Sequence, residues 1–292
     1  MDLVVKSPRI PIPGETILGG EFLMVPGGKG ANQAVAAVRL GARVCFVATL
    51  GDDLFGRRSL ENFQREGLDT KFVTLTPHSP SGVALITVDE AGNNAIVVAP
   101  GANARLSPDD VRRAQAEIRT AGAVVAQLEV PMMTVQCVAE LANEAGVPFI
   151  LNPAPAQRLC PGLLARVEVL TPNETEAQIL TGIEVVDDDS AREAAERLVS
   201  AGVKAVILTM GARGFLLAAE GRTEFVPALR VKAVDATAAG DAFTGSLAVS
   251  LAQGRPLREA AAFANRVAAL CVTRRGAQPS MPTRQEVEEF VV

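Results

Sequence analysis

The stretch Val234-Asp235-Ala236-Thr237-Ala238-Ala239-Gly240-Asp241-Ala242-Phe243 sets small residues and carboxylates directly before an apolar-periodic run of helix formers that ends at Leu251. Small side chains let backbone N–H groups approach a ligand, and a helix N-terminus adds a partial charge of about +0.5, so the turn can hold a transferring phosphoryl group. Asp241 then stands where it can accept a hydroxyl proton. The alternative is that Asp241 caps the helix and Gly240 only turns the chain.

A second string, Pro26-Gly27-Gly28-Lys29-Gly30-Ala31-Asn32-Gln33, precedes a helical run over 31–40. It is not a Walker A loop, since Lys29 is followed by Gly30, nor GxGxxG, since Gln33 stands where the last glycine should be. It offers tight backbone with Lys29 and Asn32 as donors, as binding a polyhydroxylated small molecule requires, and it also reads as a plain loop. In Thr171-Pro172-Asn173-Glu174-Thr175-Glu176, Asn173 and Glu176 have capping-box spacing, and the same pair could meet a Mg²⁺–phosphate assembly through water. Leu208-Thr209-Met210-Gly211-Ala212-Arg213-Gly214 is either a structural hairpin or a nucleotide-phosphate loop. Gln127-Leu128-Glu129 and Asn152-Pro153-Ala154-Pro155 end extended runs, where ligands bind in open α/β sheets, so Glu129 is a contact candidate or a surface carboxylate. In the loop from Cys271 to Ser280, Arg274 and Arg275 read as a solvated basic turn or as phosphate contacts.

Other chemistry is excluded by counting. The single histidine, His78, sits in the turn-like Thr76-Pro77-His78-Ser79-Pro80, which leaves no His-based metal cluster and would force a Ser-His-Asp triad to use that turn residue. The cysteines Cys45, Cys137, Cys160 and Cys271 lie far apart with no CxxC pair, as suits reduced thiols. With 28 Lys and Arg against 33 Asp and Glu the chain carries a net charge of −5, which offers no basic face to a nucleic acid. Trp and Tyr are absent, which removes most base-stacking platforms. No stretch approaches ~18 consecutive apolar residues, and the start Met1-Asp2-Leu3-Val4-Val5-Lys6 lacks the pattern of a signal peptide, so we expect no membrane partner and a cytoplasmic location.

The elements that must position these residues follow from periodicity. Short β-branched runs alternate with Ala/Leu/Glu/Arg segments of helical period, the pattern of βα units around a mostly parallel sheet covered on both faces. The patterns predict strands over 43–49, 123–128, 147–151, 167–170, 204–209 and 215–219. They predict helices over 31–40, 54–66, 108–120, 132–145, 174–181, 190–201, 241–253, 257–274 and 283–290. Residues 82–88 and 95–99 flank an Asp-Glu-Ala-Gly-Asn-Asn turn and read as a β-hairpin, with Thr16 to Val25 as a further extended piece. A small antiparallel sheet from segments near 9–25 and 82–99 should therefore project from the main body as a lid or a dimer surface.

Taken in order, GGKGAN at 27–32, QLE at 127–129, NPAPA at 152–156, TPNE at 171–174, LTMG at 208–211, VDATAAGDAF at 234–243 and TRRGAQPS at 273–280 resemble the motifs of the ribokinase-like carbohydrate kinase family. The resemblance runs from residue 1 to about 290. It implies a three-layer α/β/α sandwich over residues 1–292, with a mostly parallel central sheet and a small projecting β-sheet lid. It implies ATP-dependent phosphorylation of D-ribose at O5, giving D-ribose 5-phosphate and ADP. GGKGANQA and NPAPA favour ribose over the adenosine and phosphosugar substrates of the wider family, and deoxyribose, fructose or a nucleoside remain the alternatives.

By the same resemblance, Asp2, Gly28, Lys29, Gly30, Ala31, Asn32 and Glu129 would line the sugar site, with Asp241 as general base. Gly240, with Ala238 and Ala239, would form an anion hole for the γ-phosphoryl group. Asn173, the loop Thr209, Met210, Gly211, Ala212, Arg213 and Gly214, and Asn265 would contact ATP. Mg²⁺ would bridge the phosphates near Asn173 and Glu176. A monovalent cation, usually K⁺, would be held by Asp235, Thr237, Cys271, Arg274, Gly276 and Ser280, several through backbone carbonyls. Two lids would pair into a homodimer. The family's first strand, ending Gly-Ser-Asn before the Met-Asp that matches Met1-Asp2, has no counterpart here. We therefore expect either a start assigned too far downstream or a main sheet short of a strand, with a neighbour deprived of its ladder partner and a weakened, even binding-only, sugar site. Ala236 and Ala242 replace commoner threonines, and neither replaces the base.

Overall fold

The structure is a computed structural model that describes residues 1–291. The chain begins with β1 (Asp2–Lys6) and β2 (Phe22–Val25), enters α1 (Lys29–Arg39), and passes through β3 (Cys45–Gly51), α2 (Leu54–Arg65) and β4 (Asp69–Thr76) to a hairpin of β5 (Val83–Val88) and β6 (Asn94–Ala99). Two short helices, α3 (Pro108–Arg113) and α4 (Gln115–Thr120), lead to β7 (Val124–Ala126), α5 (Met132–Glu144), β8 (Phe149–Leu151), α6 (Pro161–Leu164) and β9 (Val169–Leu170). Then come α7 (Glu174–Thr181), α8 (Asp188–Ser200), β10 (Ala205–Thr209), β11 (Phe215–Ala219) and β12 (Arg222–Val226). The last elements are α9 (Ala239–Ala252), α10 (Leu257–Cys271) and α11 (Arg284–Glu289).

Strand alternation explains the layers. Phe149, Leu151, Leu170, Leu208 and Leu216 bury themselves on one face of the main sheet against Val135 of α5 and Leu198 of α8. Their neighbours Ile150, Val169, Ile207, Phe215 and Leu217 turn to the opposite face and meet Phe243 and Leu247 of α9 and Ala264 of α10. Both faces are therefore dry, and each large side chain so buried contributes about 1.5–3 kcal/mol. The strand order is β12-β11-β10-β9-β8-β7, parallel from β7 to β10 and antiparallel beyond.

The strands β3 and β4 form a separate parallel pair. Among the described residues no backbone ladder joins β3 to β7, so each has one unpaired edge. A cavity of about 110 Å³ is lined by Phe46, Val47 and Ala48 of β3 and by Gln127 and Val130 just past β7.

The small sheet has the order β2-β1-β5-β6, with β1 parallel to β5 and the other pairs antiparallel. Here the structure departs from the sequence reading. The segment 2–6 is a strand of this sheet, whereas only 22–25 of the stretch from Thr16 to Val25 is a strand; just before it the Lys6 carbonyl accepts from Gly20 while the Lys6 N–H donates to Glu21, which shifts the pairing where β2 begins. The polar strands β4 and β12 lie beside better-patterned partners and went unpredicted. The helix expected over 108–120 breaks at Ala114, whose φ of −94° and ψ of 10° interrupt a hydrophobic period that runs on unchanged. His78 is an exposed turn residue, and all four cysteines are free thiols.

Candidate functional site

Helices α1 and α9 pack closely at a glycine contact. A Cβ at Gly245 would lie 2.4 Å from the backbone oxygen of Gln33, so only glycine permits this approach. It brings the first turn of α1 against the first turn of α9. The Nδ2 of Asn32 donates to Oδ2 of Asp241 at 2.9 Å, and the Nε2 of Gln33 donates to Oδ1 at 3.0 Å. Asp241 is 7% exposed and is the third residue of α9, so it does not cap the helix. The N-cap is Ala238 in the left-handed region at φ 59°, a strained choice for a residue with a Cβ.

That turn leaves donors free. The N–H of Ala239 is bonded to the Ala236 carbonyl, while the N–H groups of Gly240 and Asp241 have no acceptor among the described residues. They face a polar cavity of about 170 Å³ whose wall runs from Ala238 to Asp241. Across it lie Lys29 from α1, Asn152 beyond β8, Thr171 beyond β9 and Thr209 at the end of β10. The carboxyl ends of parallel strands and a helix N-terminus thus share one cleft, the arrangement that binds anionic ligands in open α/β sheets. Thr171 shares a hydrogen bond with Thr244 of α9, and Asn152 donates to the Thr171 carbonyl.

A second group of carboxylates adjoins Asp241. The Oε2 of Glu129 accepts from the backbone N–H of Lys29 at 2.9 Å, and Gly28 takes φ 96° beside it. A Cβ on Gly27 would lie 2.0 Å from Oδ2 of Asp2, so the Gly-Gly turn exists to let the Asp2 carboxylate in. Gly30 packs on the Gln127 amide and Ala31 is buried. Burial raises the pKa of Asp2, Glu129, Glu176 and Asp241 from their ordinary values. Lys29, Asn32 and Gln33 pull Asp241 back towards its ionised form.

Asn173 and Glu176 form the full reciprocal capping box, at 2.8 Å and 2.9 Å, and both also line the cavity. In the loop from Thr209 to Gly214, Met210 is buried and its N–H donates to the Gly214 carbonyl, Gly211 to Arg213 form a short helical turn around Ala212, and Arg213 pairs with Glu174 and Asp188. Asn265 is directed elsewhere, its Nδ2 donating to the Pro227 carbonyl at 2.9 Å, and it does not line the cavity. Asp235 accepts from the N–H of Thr237 at 2.9 Å and of Gly276 at 2.8 Å, and these bonds outweigh burial and hold its pKa down. The Sγ of Cys271 lies 3.0 Å from the Ser280 hydroxyl, and burial raises the Cys271 thiol. The Arg274 guanidinium turns away to Glu286, so of this group its side chain alone leaves the loop.

Sequence reasoning passed over Gln33, Gln127, Thr171 and Thr244. In the sequence Gln33 reads only as the position where a GxGxxG glycine is absent. The available signal was a second amide side chain immediately after Asn32 at the start of a helix.

Known proteins resemble this chain over nearly its whole length. Residues 1–284 match the model of the pfkB family carbohydrate kinases. The chain is 42% identical over 290 residues to a ribokinase of Haemophilus influenzae, covering 99% of this chain and 95% of that protein. It is 39% identical to a deoxyribokinase of Salmonella typhi, covering 100% of this chain and 95% of that one. A ribokinase of Arabidopsis thaliana, solved in complex with ribose and ATP, superposes with a TM-score of 0.91 at 33% identity, covering 99% and 96% of the two chains.

Proposed function

The chain belongs to the pfkB family of carbohydrate kinases, and from that membership we propose that it phosphorylates D-ribose at O5 with ATP, releasing D-ribose 5-phosphate and ADP. The observation that carries this reading is the pairing of a buried carboxylate, Asp241, with the unbonded N–H groups of Gly240 and Asp241 at the mouth of one cleft. The first accepts the proton of the attacking hydroxyl, and the second receive the negative charge that builds on the transferring phosphoryl group.

The residues divide the work by position. Asp2, Gly28, Lys29, Asn32 and Glu129 bind sugar hydroxyls, with Gly30 and Ala31 shaping the wall. The Asn32 Oδ1 is buried without a partner, an acceptor that a sugar hydroxyl satisfies. Asn173 and the loop from Thr209 to Gly214 hold the nucleotide on the other side of Gly240. Asn265, bonded to Pro227 beside Gly214, is assigned to the adenosine end only.

Two ions fit the donors present. One oxygen of Glu176 is spent on the Asn173 N–H, leaving the other free towards the cavity for a water of a phosphate-bound Mg²⁺, which neutralises phosphate charge. Around Asp235 the donors are hydroxyls, backbone carbonyls and one ionised carboxylate, chemistry that suits K⁺; Thr237, Cys271, Gly276 and Ser280 supply the loop, and Arg274 supplies its backbone. The small sheet covers the sugar as a sub-domain of a single domain. By register its exposed Phe22, Met24, Leu85 and Val97 share one apolar face that fits a second copy, giving a homodimer that size-exclusion chromatography tests. No helix among the described residues is long and apolar enough to cross a membrane, and four free thiols suit the reducing cytoplasm.

The relative named deoxyribokinase favours 2-deoxyribose as the second substrate to try. The deciding experiment measures ADP release with ATP and Mg²⁺, in K⁺ and in Na⁺, against ribose, deoxyribose, fructose and nucleosides. Ribose-dependent turnover stimulated by K⁺ is expected. Turnover preferring another sugar overturns the substrate, and sugar binding without turnover overturns the enzyme.

A further inference from the structure

Gln33 is 2% exposed and lines neither cavity, yet every polar atom of its side chain is engaged. Its Nε2 donates to Oδ1 of Asp241 at 3.0 Å and to Oδ1 of Asn152 at 3.1 Å. Its Oε1 accepts from Nε2 of Gln127 at 2.5 Å. We propose that Gln33 is a positioning residue, which fixes the orientation of the Asp241 carboxylate through a chain of amides that can point only one way.

The polarity of the chain is set where it meets Asn152 and the Asp241 carboxylate, which can only accept. Asn152 must present its oxygen to Gln33, because its Nδ2 is committed to the Thr171 carbonyl at 2.9 Å. Gln127 presents its amide nitrogen to Gln33. Turning the Gln33 amide over would set oxygen against oxygen at Asp241 and at Asn152, and nitrogen against nitrogen at Gln127, so it is held as a donor to Asp241. Asn32 holds the other carboxylate oxygen and has a buried acceptor to spare, which makes it a substrate contact; Gln33 has nothing to spare.

A further consequence concerns ionisation. Lys29 from α1 favours the Asp241 anion, while Asp2 from β1, Glu129 beyond β7, Glu176 of α7 and the Cys271 thiol of α10 are the other titratable groups that sense its charge. Removing the Gln33 donor leaves the anion less stabilised, so a higher pH is needed to ionise the base.

The inference rests on the proposed role of Asp241, and its test separates the two. Gln33→Met keeps the side-chain length and loses the amide, Gln33→Glu sets a carboxyl against Asp241, and Gln127→Met removes the donor behind Gln33. The acid limb of the kcat profile is expected to move up by about one pH unit in Gln33→Met, the worth of one hydrogen bond to a charged group, further in Gln33→Glu and less in Gln127→Met. Sugar KM is expected to change less than about twofold, because ground-state contacts are kept. The ¹³C-carboxylate titration of Asp241, assigned by its loss in Asp241→Asn, should move in the same order with or without a substrate. A uniform loss of rate at all pH values with an unmoved carboxylate titration overturns the proposal, whatever the sugar turns out to be. Failure of the wild-type chain to turn over any sugar overturns the functional reading instead, and the carboxylate titration still decides the role of Gln33.

Discussion

Gly245 stands one helical turn beyond Asp241 on α9 and packs on the backbone of Gln33, with room for no Cβ, since one would lie 2.4 Å from the Gln33 oxygen. The interhelical contact that delivers Asn32 and Gln33 to Asp241 therefore depends on a residue with no chemistry of its own. Gly245→Ala should push α1 off α9, costing about 1–3 kcal/mol as an overpacked core does, and should lower kcat at least ~10-fold by loosening the carboxylate. Urea unfolding together with steady-state kinetics checks both; unchanged kcat in a folded variant would show that the crossing is not what positions the base.

Gly240 presents the opposite case. A Cβ there meets nothing within 4 Å, because that side of the residue is the cavity. Gly240→Leu should fold with an unchanged melting temperature and fill the space meant for the transferring phosphoryl group, lowering kcat by about 10²–10³. A melting curve beside an ADP-release assay distinguishes this from a folding defect, and undiminished turnover would remove the turn from the phosphate site.

Asp241→Asn should lower kcat by roughly 10²–10⁴ with the fold retained. The same variant carries a prediction about pH. Burial raises the pKa of Asp241 in the folded chain above that of the unfolded chain, so its contribution to stability is fully present below the usual carboxylate range and is lost as pH rises through the folded value. The melting temperature of Asp241→Asn relative to wild type should therefore increase between pH 4 and pH 8, as roughly expected for removing a buried anion. Parallel melts across that interval would contradict the assignment if the difference stayed constant or fell.

The separated pair β3 and β4 predicts uneven protection. Alternate amides of Cys45–Gly51 and of Val124–Ala126 point to unpaired edges, whereas β8, β9 and β10 are paired on both sides. Amide hydrogen exchange should be faster along those two edges than in Phe149–Leu151 or Ala205–Thr209. Equal protection would mean that a ladder joins them in solution.

Several features of this molecule were legible from local pattern. The alternating strands and helices, the 82–99 hairpin and the capping box at Asn173 rest on interactions within a few residues, and short-range propensity records those. The strand at 2–6 was not legible, because a partner 82 residues further along the chain makes it a strand, and the polar 222–226 is a strand only because it folds back on its patterned neighbour 215–219. The break at Ala114 was hidden because a change in two backbone angles leaves hydrophobic periodicity untouched.

For the site the division is similar. The residue types and the turns were written in the sequence: a carboxylate after small residues at a helix start, and glycines where Asp2 must pass and where φ turns positive at Gly28. That Asp241 is a clamped carboxylate and not a cap, that Gln33 rather than only Asn32 reaches it, and that Asn265 turns to Pro227 were decided by tertiary structure. The physical reason is separation along the chain. Asn32 and Asp241 are 209 residues apart, and no propensity or spacing carries information over that distance; two helices packed at glycine contact do.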